Sequence, residues 1–115
     1  MVKIGSVVMN VAEVGAAADF WTKALGYMTR EGADENWALL SPQDGDGPNV
    51  AFDRGDRTHF DLYLRAGEGQ QAEVERLIAL GARRVQDWPY PDGADFLVLA
   101  DPVGNLFCVV DKAQD

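Results

Sequence analysis

Hydrophobic and polar residues alternate strictly along the stretch Thr58 to Leu64. Phe60, Leu62 and Leu64 fall on one side of an extended chain; His59, Asp61 and Tyr63 fall on the other. A period of two predicts a β-strand with one apolar and one polar face. Lys3 to Val11 reads as an earlier strand, with Ile4, Ser6, Val8 and Asn10 on one face and Val7, Met9 and Val11 on the other. The period then changes. Val14, Ala17, Ala18, Trp21, Ala24 and Leu25 recur at spacings of three and four, which predicts a helix with one apolar stripe and places Trp21 in the core. Gly26 follows as a C-terminal cap. Short strands are predicted at Tyr27 to Arg30, Asn36 to Leu40 and Asn49 to Asp53, with Ser41 to Pro48 as a loop. That loop lacks the spaced ligands and closing glutamate of a calcium-binding EF-hand. A second helix is predicted from Gln70 to Leu80, with Val74, Leu77 and Ile78 inward and Gly81 at its end. Strands at Arg83 to Trp88, Phe96 to Ala100 and Leu106 to Val110 complete the chain. Between them lie the turn-rich Pro89 to Gly93 and the tight turn Asp101 to Asn105, and Asp111 to Asp115 reads as a frayed tail.

Set side by side, the two halves repeat each other. Each runs strand, helix, then three strands. The first helix ends Lys23-Ala24-Leu25-Gly26 and the second Ile78-Ala79-Leu80-Gly81. Trp37 to Pro42 answers Leu97 to Pro102, and Phe52-Asp53 answers Val110-Asp111. A module of about 55 residues is too small to bury a core easily by itself. The expected fold is therefore α+β: a single domain of two tandem βαβββ modules, residues 1–55 and 56–113. Their strands form a cupped mixed β-sheet with the helices outside and a trough inside.

Composition narrows the function. The chain has 115 residues, 47% hydrophobic and 25% charged, as in soluble globular proteins. No apolar run approaches the roughly 20 residues of a membrane span. Met1 to Ile4 leads directly into strand-like sequence without a signal peptide's apolar core. The lone Cys108 has no internal disulfide partner, which fits a reducing cytoplasm. A net charge of −9 argues against nucleic acid, whose binding depends on neutralising phosphates.

Phe20-Trp21 through Ala24-Leu25-Gly26-Tyr27, Arg57-Thr58-His59-Phe60-Asp61-Leu62, Val74-Glu75-Arg76-Leu77 with Leu80-Gly81-Ala82, and Leu99-Ala100-Asp101-Pro102-Val103-Gly104-Asn105-Leu106-Phe107-Cys108 together resemble the vicinal oxygen chelate superfamily. This group holds glyoxalases, bleomycin-resistance proteins and extradiol dioxygenases, and the likeness is nearest to its small glyoxalase-like domains. The resemblance implies the glyoxalase/bleomycin-resistance fold, a small-molecule ligand or substrate in the trough, and a homodimer. In metal-using members, divalent-ion ligands come from the first and last strands of each module. Those positions map onto Ser6, His59 and Cys108, with the fourth near Asn49 or Ala51. Only His59 matches the usual ligand chemistry. Cys108 qualifies as a thiolate, but thiolate suits zinc or copper rather than oxygen-preferring ions. The site is thus expected to be degenerate, with no cofactor required and His59 and Cys108 as the only metal candidates.

Chemistry without metal remains open to these residues. His59 beside Asp61 could serve as a general base with its tautomer set by the carboxylate, and Tyr63 could donate a hydrogen bond to an anionic intermediate. Such a set suits proton abstraction next to a carbonyl, as in an isomerase. Ser6, Val8, Trp37, Trp88, Tyr90 and Cys108 are the expected ligand-binding residues, with Trp88 before Pro89-Tyr90-Pro91 as a mobile lip. The competing expectations are a glyoxalase-type metal-dependent lyase, isomerase or dioxygenase, and a drug-sequestering resistance protein that does no chemistry.

Overall fold

The predicted change of period, from two to three-and-four and back, is what the chain builds twice. The computed structural model describes residues 1–113. Its elements are β1 (Lys3–Asn10), α1 (Val14–Leu25), β2 (Tyr27–Thr29), β3 (Trp37–Pro42), β4 (Asn49–Asp53), β5 (His59–Leu64), α2 (Gln70–Ala79), β6 (Arg83–Arg84), β7 (Phe96–Ala100) and β8 (Leu106–Ala113). The chain divides into two compact units. One comprises residues 5–58; the other joins residues 1–4 to residues 59 onward. Each carries the βαβββ plan.

In the first unit the strands run in the order β2-β3-β4-β1. β1 lies parallel to β4, with Ser6 beside Asn49 and Val8 beside Ala51. β3 is antiparallel to both β2 and β4. Val14 of α1 packs on Ala38, Leu40 and Phe52, with Met9, Val11, Ala17, Ala18, Tyr27 and Val50 around them. Side chains alternate along each strand, so Ser6, Val8, Trp37 and Leu39 occupy the sheet face turned away from α1. Gly26 ends α1 in the left-handed conformation (φ 70°), as predicted for a helix cap.

The second unit repeats this as β5-β8-β7-β6. β5 lies parallel to β8; β7 is antiparallel to β8 and β6. Leu64, Val74, Leu99 and Val109 form its core, joined by Val2, Leu77, Ala82, Leu97 and Phe107. Glu73, buried at the start of α2, receives hydrogen bonds from the Val2 backbone N–H at 2.8 Å and Arg76 Nε at 2.9 Å. The Met1 ammonium pairs with Glu68 alongside.

Four expectations need correction. Trp21 is not core: it is 36% exposed, edge-on to Phe20, which is 61% exposed. β3 runs past Leu40 through Ser41 and Pro42, because β2 is there to pair with both. Conversely, β6 stops at Arg84 rather than Trp88, with one further backbone bond from Val85 to Val98. The expected frayed tail begins instead as the end of β8, through Ala113; residues 114 and 115 lie outside the described residues. No helix among the described residues is long and apolar enough to cross a membrane.

Candidate functional site

β5 sends its odd-numbered side chains to the sheet face away from α2, because Leu64 on the other face belongs to the core under that helix. His59 and Asp61 are therefore neighbours one strand step apart. His59 Nε2 lies 3.2 Å from Asp61 Oδ1, with the two side chains 10% and 25% exposed. The parallel register sets Cys108 of β8 directly beside Asp61. One ligand-type atom from each of His59, Asp61 and Cys108 lies within 4.8 Å of the others, the only such group of metal-capable side chains among the described residues.

The electrostatics are those of a proton-holding cluster. Burial pushes the Cys108 thiol above its ordinary value; a hydrogen bond with His59 opposes that rise, and the Asp61 charge reinforces it. At neutral pH Cys108 is a thiol and not a thiolate. His59 Nε2 faces the Asp61 carboxylate, and the imidazole also shares a hydrogen bond with the Cys108 thiol. The arrangement can accept a proton or a hydrogen bond from a bound molecule, while Asp61 stabilises the charge that results.

Tyr63 lies two residues further on the same face and is buried. Lys112 Nζ stands 5.2 Å from the centroid of its ring. Lys112 was hidden in the expected tail. Its signal was the continued alternation Cys108, Val110, Lys112, which keeps it on the face of the site. Ser6, Val8 and Trp37 sit in the first unit, on the face described above. Tyr90 does not join the His59 cluster. It receives a hydrogen bond from the Val98 backbone N–H at 2.7 Å, its ring meets Phe96 at 5.5 Å, and it lines a cleft with Arg84, Gln86, Leu97 and Leu99. Trp88, two residues earlier and half-buried, accepts the Tyr90 N–H at its carbonyl.

The metal positions implied by the resemblance can now be tested by donor chemistry. In the first unit they fall on the rows Ser6–Asn49 and Val8–Ala51, which offer a hydroxyl, an amide and two hydrocarbons. In the second they fall on an imidazole and a neutral thiol. An oxygen-preferring divalent ion seeks several carboxylate or carbonyl oxygens. This donor set does not fit it.

Doubled βαβββ units with a polar residue cluster on the first and last strands of the second define the glyoxalase/bleomycin-resistance class of fold. The chain belongs to the glyoxalase-like domain family, whose profile matches residues 6–110. No curated protein sequence matches it. Among solved structures it is similar to a hypothetical protein from Bacillus halodurans C-125, at 12% identity and TM-score 0.66, covering 99% of this chain and 96% of that one. It is also similar to methylmalonyl-CoA epimerase from Mycobacterium tuberculosis, at 18% identity and TM-score 0.60, covering 96% and 87%. A third likeness is to a chain named as NAD-dependent benzaldehyde dehydrogenase from Legionella pneumophila, at 12% identity and TM-score 0.62, covering 91% and 96%. At these identities the likeness is one of fold.

Proposed function

We propose that the chain is a small-molecule-binding protein whose site is the polar face of β5 together with Cys108 of β8. The site holds its ligand by hydrogen bonding and proton exchange, and needs no oxygen-preferring divalent ion. The observation that carries this reading is the His59–Asp61 contact at 3.2 Å with the Cys108 thiol beside it. The imidazole is largely shielded from water, which strengthens its hydrogen bonds. Asp61 orients it. A ligand with an acidic C–H, hydroxyl or carboxylic acid next to a carbonyl would place that proton within reach of His59, and Tyr63 with Lys112 supplies donors further along the face. His59 would then act as the base, with the proton held on the imidazole and its charge offset by Asp61.

The family resemblance adds a homodimer to the reading, and the exposed Phe20, Trp21 and Leu25 of α1 offer apolar surface for one.

The test uses chelator-treated protein and a panel of carbonyl-bearing small molecules in a thermal-shift assay. Binding should raise the melting temperature with the logarithm of ligand concentration. His59→Ala and Asp61→Asn should each weaken it tenfold or more. Binding that appears only after magnesium or manganese is added would contradict the reading, as would variants that bind like the parent. Product formation would place the protein among enzymes; tight capture without product would place it among sequestering proteins.

A further inference from the structure

Two arginines are half-buried among the described residues, Arg76 and Arg84. Arg76 is paired with Glu73 at 2.9 Å. Arg84 has no ion pair or hydrogen bond from its side chain among the described residues. It ends β6, where the chain leaves β7 after the Val85–Val98 backbone bond and a cleft of 240 Å³ opens. We propose that this cleft is a binding site for a small monocarboxylate with an apolar body, held by the Arg84 guanidinium and separate from the His59 cluster.

Charge gives the first support. Arginine is seldom buried without a counter-charge, and its planar fork matches a carboxylate with two parallel hydrogen bonds. The chain carries 19 acidic residues, yet no described one reaches this guanidinium. Further donors border the same cleft. The Tyr90 hydroxyl accepts the Val98 N–H at 2.7 Å and so keeps its own proton to donate, and Gln86 adds an amide at the rim. The rest of the lining suits hydrocarbon: Val85, Leu97, Leu99 and the Tyr90 ring, which is itself braced by Phe96 at 5.5 Å. Size limits the ligand. At about 30 Å³ for each water-sized group, 240 Å³ admits roughly eight of them, which fits a short acid and not a nucleotide. Tyr90, expected at the ligand site from its proline-flanked segment, serves this cleft instead.

The cleft does not depend on the His59 cluster. Arg84 pairs with Leu99, and Leu97 and Leu99 pack into the core under α2, so the cleft lies on the α2 face of the sheet. His59 and Asp61 project from the other face. Loss of either site leaves the other in place.

Phenylacetate is the probe, followed by backbone-amide NMR of the full chain. Phenethyl alcohol matches its shape without the charge, and acetate carries the charge without the ring. Phenylacetate should shift the amides of Val85, Leu97 and Val98 saturably. Both controls should bind roughly tenfold more weakly or worse, as expected for losing a charge-assisted hydrogen bond or the apolar contact. Arg84→Met keeps the apolar stem and should lose the preference for the acid over the alcohol, whereas Arg84→Lys should retain part of it. His59→Ala should leave phenylacetate affinity unchanged. Melting curves of the unliganded variants check folding. The parent protein alone can overturn the proposal: by no saturable shift, by shifts centred on His59 and Asp61, or by equal binding of acid and alcohol. Undiminished acid preference in a folded Arg84→Met variant would overturn it as well.

Discussion

At the scale of single residues, burial and neighbours decide what the chemistry-bearing side chains can do. Cys108 is held as a thiol, chiefly by burial. A raised thiol pKa leaves little thiolate at neutral pH, and thiolate is the species that reacts. Iodoacetamide should therefore label native Cys108 at least tenfold more slowly than the unfolded chain, as followed by mass spectrometry; equal rates would contradict the environment described. Glu73 is the opposite case. The hydrogen bond from Arg76, with help from the Val2 N–H, pulls its carboxyl below the ordinary 4.5. A carboxyl depressed in the folded state stabilises the protein above its unfolded value and ceases to do so as pH falls through the folded one. Urea midpoints should thus drop below pH 4.5 in the parent, and Glu73→Gln should be less stable at neutral pH with a shallower acid slope. The alternation of β5 made His59, Asp61 and Tyr63 legible as one face. The partner on the next strand was not legible from alternation, because cross-strand register is set by pairing and not by local period. Cys108 came from the family resemblance instead.

At the scale of elements, period proved a sound guide to side and a poor guide to depth. The α1 stripe contains both Val14, which is buried, and Trp21, which is not. A spacing of three and four says which way a residue points, but not whether anything lies opposite. Phe52→Ala should accordingly cost about 3–5 kcal/mol, the range for emptying a buried aromatic site, and Trp21→Ala clearly less. Chemical denaturation of the two variants compares them. Edge strands failed in length for a related reason: β6 looks longer in sequence than its pairing with β7 permits. The turn before β8 was read correctly because its chemistry is local. Asp101 Oδ1 accepts the N–H groups of Val103 and Asn105 at 3.0 and 2.8 Å, and Gly104 sits at φ 94°. An L side chain is strained there, so Gly104→Ala should destabilise the protein by about 1–3 kcal/mol. A melting temperature unchanged by that substitution would show that the turn does not need glycine.

At the scale of the whole molecule, the repeat was the strongest signal. Two matched helix ends, two matched hairpins and two matched closing strands require two copies of one unit. Each unit has its own core, contrary to the expectation that a module of this size would not easily bury one by itself, because its helix covers one face of its sheet. Asp61 lies in contact with His59, its neighbour on the polar face of β5. The proposed function rests on that contact and on a ligand that binds there without a hard divalent ion. His59 is the only histidine, so its imidazole proton gives a single, unambiguous NMR signal. The decisive measurement follows that signal in chelator-treated protein while a small molecule that raises the melting temperature is added. The account predicts a saturable shift of the His59 resonance at the same concentration as the thermal effect. A stabilising ligand that leaves His59 unmoved, or moves it only once magnesium or manganese is supplied, would contradict it.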